Sequence, residues 1–208
     1  MPFTFGYSFW IALLLIVGLH ELAHLVAAKL CKCKVEVFSI GFGRALFQKK
    51  IGNTIYQIAI FPLGGYCKLQ NESSYSRSKY AFTNLPYSRK VAIAMAGIIV
   101  NIISGLLALA LCEIILANTT IIIFLGRNTM PIFNFLWIFG YLSIALGLSN
   151  ALPLPALDGC YPFLVLLEKK YGKKRGYKLM TKINKIGFMV IMILNILCIP
   201  LFFMWRIK

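Results

Sequence analysis

Acidic residues are scarce in this chain. Six Asp and Glu stand against 22 Lys and Arg in 208 residues, for a formal net charge of +16. Charge of either sign is thin at 13%, while hydrophobic residues make up 60%; an ordinary soluble domain is about 25% charged. Together these exclude a disordered chain, a soluble nucleic-acid binder and a small secreted scaffold. The six cysteines (Cys31, Cys33, Cys67, Cys112, Cys160, Cys198) are scattered and show no disulfide framework. Cys31-Lys32-Cys33 lacks a second pair at zinc-site spacing. No internal repeat or low-complexity tract is present. What remains is a polytopic membrane protein, expected to be a single domain over 1–208.

Four long apolar runs predict four transmembrane helices, at about 5–30, 91–117, 131–152 and 186–205. The first has no basic n-region and is too long for a signal h-region, so it reads as a span. The second contains only Glu113, and Trp205 suits an interfacial anchor for the fourth. Ile121–Leu125 is too short to cross. Eleven bases lie between Lys29 and Lys90, and eight between Lys169 and Lys185. Only Arg127 lies between the second and third spans, and two bases follow the fourth. By the positive-inside rule both large basic segments are cytoplasmic and both termini lie outside. Asn71–Ser78 reads as a polar surface loop.

The region 35–69 is more than a linker. Thr54–Phe61 and Val35–Ile40 are rich in β-branched and aromatic residues, Ala45–Gln48 is a shorter strand candidate, and Gly52-Asn53 punctuates them as a hairpin turn would. Gly41, Gly43, Gly64 and Gly65 bracket the strands where the backbone bends or approaches something closely. A small solvated sheet is the plain interpretation. The apolar Phe38, Ile40, Phe42, Ile55, Ile58, Ile60 and Phe61 favour a hairpin that dips into the membrane boundary or packs on the spans. The expected fold is therefore membrane all-α, about four helices plus a cytoplasmic-side, membrane-associated β-hairpin.

His20-Glu21-Leu22-Ala23-His24 is H-E-x-x-H, and it holds both histidines of the chain. On a helix, positions i and i+4 share a face, so both imidazoles can reach one zinc ion. Glu21 can then serve as general base at the metal's open position. Ionisable residues inside a span are expensive and usually functional. A catalytic zinc needs a third protein ligand. Glu36, Glu72 and Glu168 fall in basic segments, and Glu113 lies near the outer end of its span. The first and third spans run in the same direction and bring His20, His24 and Asp158 to similar depth. Asp158 is the expected third ligand.

These motifs resemble the site-2 family of intramembrane zinc metalloproteases. The resemblance rests on His20–His24 (HELAH), Phe38–Leu69 (FSIGFGRALFQKK…FPLGGYCKL) and Asn150–Gly159 (NALPLPALDG), and the middle segment is most similar to the bacterial regulator-of-sigma-E protease branch. It implies one zinc per chain held by His20, His24 and Asp158, with Glu21 doing the acid–base work. It further implies that Asn150 contacts substrate or the oxyanion, and that the hairpin presents an edge to unfolded substrate. The sequence departs from that branch in two ways. Only about Asn118–Pro131 is available where the branch inserts PDZ domains, and Cys160 stands where a second glycine often follows Asp-Gly. Cys160 could approach the metal, but an inert buried thiol is the favoured reading.

The expected activity is hydrolysis of peptide bonds in or beside transmembrane segments, as in regulated intramembrane proteolysis. The expected partners are single-span membrane-protein substrates and the lipid bilayer, with no nucleic acid; the sequence does not identify a regulatory partner. The expected location is a bacterial plasma membrane, multi-pass, with the site toward the cytoplasm. Thr54–Phe61 would offer the edge for unwound substrate, with Gly64 and Gly65 letting its backbone come close; a plain turn role explains those two glycines equally well. The alternatives are a metal-binding transporter, which has no need of Glu21, and an inactive protease homologue, against which the complete ligand-and-base set counts.

Overall fold

The computed structural model describes residues 2–70, 78–118, 123, 126 and 129–206. In chain order the elements are α1 (Pro2–Leu30), β1 (Val35–Ile51), β2 (Thr54–Leu69), α2 (Tyr87–Ala117), α3 (Thr129–Ala151), α4 (Tyr161–Tyr171) and α5 (Lys173–Arg206). Among the described residues three segments are long and apolar enough to cross a membrane: Tyr7–Leu30, Tyr87–Ala117 and Met130–Ala151. They coincide with the first three expected spans. The fourth, 186–205, falls on the second half of α5. Most of the Asn71–Ser78 loop, most of Ile121–Leu125, and Asn128 lie outside the described residues. Only residues 118–128 separate α2 from α3, which leaves no room for a PDZ domain.

Local chemistry sets the helix ends. α1 is rich in Leu and Ala, and stops where Lys32 turns left-handed at φ 59°. Pro86 caps α2, where a missing N–H costs nothing. α3 ends before Pro153 and Pro155, whose rings cannot continue it. Gly172, at φ 79°, breaks α4 from α5.

The three apolar helices pack on one another. Lipid supplies no hydrophobic drive for that packing, so small and polar residues do the work. Gly140 on α3 sits against Leu109 and the Gly105 carbonyl, and a Cβ there would stand 2.7 Å from the Leu109 side chain. Beside it the Ser143 hydroxyl donates to the Asn101 carbonyl at 2.8 Å and meets Ser104 Oγ at 3.1 Å. The outward faces carry exposed apolar side chains such as Leu15, Leu22, Ile103, Leu107 and Trp137.

β1 and β2 form one sheet joined by the tight turn at Gly52-Asn53, with Gly52 at φ 60°. Positive φ at Gly41 (93°) and Gly43 (90°) bends β1, so the backbone turns where the sequence predicts it. The bend lets the chain fold back on itself. Ala45–Ile51 pairs with Ala59–Thr54 across the turn, and Val35–Ile40 pairs with Leu69–Gly65. Val37–Ile40 also align with Ile55–Ile58. Ile55–Ile58 therefore have a neighbour on each side, and the expectation of an available edge at Thr54–Phe61 is corrected. The outermost segment on the α1 side is Gly65–Leu69. The sheet packs on α1 through Phe38 and Ile40, which join a core with Leu25, Phe82 and Ile93. Its far half leaves Leu46, Phe47, Ile51 and Phe61 exposed. This apolar tip is not what a solvated sheet presents.

Candidate metal centre and active site

α1 carries His20 and His24 one turn apart on the face turned toward α2 and the α3–α4 loop. His20 Nε2 lies 2.8 Å from Asp158 Oδ2, His24 Nε2 lies 3.3 Å from the same oxygen, and the two Nε2 atoms are 3.1 Å apart. Zinc–ligand bonds of about 2.0–2.1 Å in a tetrahedron place ligand atoms about 3.3 Å apart. Two imidazoles and one carboxylate at these spacings fit a zinc ion with one position left open. His24 Nδ1–H donates to the Ile93 carbonyl at 2.8 Å, which leaves its Nε2 lone pair facing the other two groups.

Asp158 arrives from a tightly held loop. Ala156 has φ 77°, rare for a residue with a side chain. Its N–H donates to Asn184 Oδ1 of α5 at 3.1 Å. A Cβ on Gly159 would lie 2.2 Å from the Ala151 carbonyl oxygen, so only glycine lets this loop fold back on the end of α3. Burial alone would raise the Asp158 carboxyl; the two imidazoles beside it, His20 and His24, outweigh that and hold it well below the usual carboxylate range.

Glu21 points into the same cavity, of about 520 Å³, as the three metal-ligating candidates. Its carboxylate accepts a hydrogen bond from the Cys67 backbone N–H. Asn150, Gly64 and Gly65 line that cavity as well. Neither glycine has the positive φ of a glycine-requiring turn. Each instead makes room: a Cβ on Gly65 would stand 2.8 Å from Glu21 Cγ, and one on Gly64 would stand 2.3 Å from the Phe42 ring. A second cavity of about 670 Å³ shares Lys68, Asp158 and Tyr161 with the first and continues to Met180, Phe188 and Met189 of α5.

Two of the other acidic groups are engaged elsewhere. Glu168 pairs with the buried Lys90 at 2.5 Å, and Glu36 pairs with Lys68 at 2.9 Å. Cys160 is buried against Leu164 and Met180, and burial pushes its thiol up, so it behaves as a small hydrophobe. Two residues escaped the sequence reading. Asn184 has no spacing relation to the motifs. Asn101 touches His20, and its one signal was being a fully polar amide inside an apolar span.

The model of peptidase family M50 matches residues 8–194. This chain belongs to peptidase family M50. The site-2 resemblance of its three motifs is borne out. It is 40% identical over 114 residues to the regulator of sigma-E protease RseP of Escherichia coli K12, a match covering 52% of this chain and 25% of the relative. It is 39% identical over 99 residues to a candidate zinc metalloprotease of Neisseria meningitidis serogroup A, covering 46% and 22%. A third relative, a candidate zinc metalloprotease of Treponema pallidum, is 34% identical over 108 residues, covering 47% and 24%. The chain spans about a quarter of the length of these relatives.

Proposed function

We propose that this chain is an intramembrane zinc endopeptidase that hydrolyses peptide bonds in or next to the transmembrane segments of single-span membrane proteins. The observation that carries this reading is the convergence of His20 Nε2, His24 Nε2 and Asp158 Oδ2 beside Glu21 in one cavity between apolar helices. Zinc bound by those three groups supplies Lewis acidity toward water and the scissile carbonyl. Glu21 takes the proton from water and returns it to the leaving amine. The Cys67 N–H fixes the direction of its carboxylate. Asn150, on the cavity wall, donates to the developing oxyanion.

A helical substrate hides its carbonyls in hydrogen bonds, so it must unwind before attack. The Gly64–Tyr66 backbone lines the cavity and replaces those bonds when the unwound strand lies beside it. The second cavity receives the next side chains. The protein sits in a bacterial plasma membrane with four spans, the fourth being the apolar half of α5. The basic segments face the cytoplasm, and the exposed apolar tip of the sheet enters the membrane boundary.

The test is zinc content and cleavage of a purified single-span substrate by wild type and Glu21→Gln. Zinc-dependent cleavage lost in Glu21→Gln supports the reading. Zinc bound by a wild type that cleaves no membrane substrate favours a metal-binding carrier or an inactive homologue.

A further inference from the structure

His20 differs from His24 in what holds its second nitrogen. Behind His24 stands a backbone carbonyl, which can only accept. Behind His20 stands a side chain, Asn101 of α2, with Nδ2 at 3.0 Å from Nδ1. Asn101 is fully buried, and its Oδ1 has no hydrogen-bond partner among the described residues. A buried amide oxygen left unpaired is costly, so this residue has a use for it.

The surroundings are built for this contact. Gly97, one turn before Asn101, leaves space for the imidazole: a Cβ there would lie 2.5 Å from the His20 ring. The hydroxyls of Ser143 and Ser104 both donate to the Asn101 carbonyl, at 2.8 and 3.2 Å. Gly147 of α3 lets that helix press on Asn101 Cβ. The backbone at Asn101 is therefore clamped, while its amide is free to present either end to His20.

A neutral imidazole carries one proton. For His20 Nε2 to offer a lone pair to a metal, that proton must sit on Nδ1, and Nδ1–H then needs an acceptor. The two amide atoms of asparagine exchange by a half-turn about χ2. With the NH2 toward Nδ1, the proton belongs on Nε2, which donates to Asp158. With the oxygen toward Nδ1, the oxygen gains its missing partner and Nε2 is released toward the metal. We infer that Asn101 is the positioning residue that sets the His20 tautomer and holds its ring for zinc. Its conformity to the site rests on the zinc reading above.

The experiment measures zinc affinity of the full chain in detergent by competition with a chromophoric chelator, and follows the Co2+ d–d spectrum of each variant. Asn101→Leu removes the acceptor at similar volume; affinity should fall by about 10- to 100-fold, the usual loss for a group that orients a ligand histidine. Asn101→Asp keeps shape and acceptor, loses the amide donor and adds a negative charge when ionised; it should bind zinc at least as tightly as wild type and keep a tetrahedral cobalt spectrum. Asn101→Ala replaces the leucine variant if that one does not fold, with the same expected loss. Wild-type affinity in the acceptor-free variant overturns the inference, as does an Asn101→Asp loss equal to it. A wild type that binds no zinc, or binds it undiminished in His24→Ala, overturns the zinc reading itself and is thereby told apart.

Discussion

The contact between Gly65 and Glu21 gives a quantitative handle on the proposed chemistry. Alanine at Gly65 adds a single carbon 2.8 Å from Glu21 Cγ and 2.7 Å from the Ser39 carbonyl oxygen. Non-bonded carbons settle at about 3.5–4.0 Å, so Glu21 or the strand must give way by about 0.7 Å or more. Ser39 is fully buried and paired within the sheet, so the Gly65 backbone must shift off its carbonyl while Glu21 swings away from the added carbon, and both movements displace the Glu21 carboxylate. A displacement near 1 Å at a reacting group costs up to about 10²-fold in rate. Gly65→Ala is thus expected to lower kcat by roughly 10- to 100-fold, with zinc content unchanged, because the ligands lie on α1 and the α3–α4 loop. Gly64→Ala is the control: its added carbon meets the ring of Phe42, which is half exposed and can turn aside, so it should cost less. The assay is turnover of a purified single-span substrate together with zinc analysis of the same samples. A Gly65→Ala enzyme that turns over at the wild-type rate would refute the reasoning, and so would one that cleaves slowly because it has lost its zinc.

Four further outcomes follow from the same geometry. Purified protein should hold about one zinc per chain, lost in His20→Ala and His24→Ala and weakened in Asp158→Ala, since three ligands become two; full occupancy in Asp158→Ala would exclude it as a ligand. Glu21→Gln should keep its zinc while cleavage falls by about 10²-fold or more, measured on the same substrate. Lys90→Ala leaves Glu168 buried and alone and should destabilise the fold by roughly 3–5 kcal/mol, whereas Lys90→Met with Glu168→Leu should be nearly neutral; thermal unfolding in detergent compares the two. Reporter fusions after Lys79 and Lys174 should read cytoplasmic, and those after Asn128 and Lys208 external; a cytoplasmic Asn128 would break the shared direction of α1 and α3.

The parts of this molecule that were legible in sequence are those whose geometry repeats locally. The i, i+4 spacing of His20 and His24 is a property of one helix. Asp158 was reachable because the charge distribution predicts the direction of each span, and a shared direction predicts a shared depth. The sheet was legible as strands but not as a pairing. Two bends, at Gly41 and Gly43, bring Val37–Ile40 against Ile55–Ile58, and a register set by a bend leaves no period in the chain. Asn101, Lys90–Glu168 and Asn184 escaped for the related reason that each acts across a large sequence separation. Nothing about Lys90 names Glu168, 78 residues away, until α2 and α4 are in place.

The separation of the metal-binding groups also orders events in time. His20 and Asp158 are 138 residues apart, on opposite sides of two apolar helices. At about 5–20 residues per second of synthesis, the ribosome needs roughly 7 to 28 s to travel from one to the other. During that interval α1 carries two imidazoles and a glutamate but no third ligand. A chain in that state has no completed metal-binding set. The three-ligand set is complete only with the loop that follows α3.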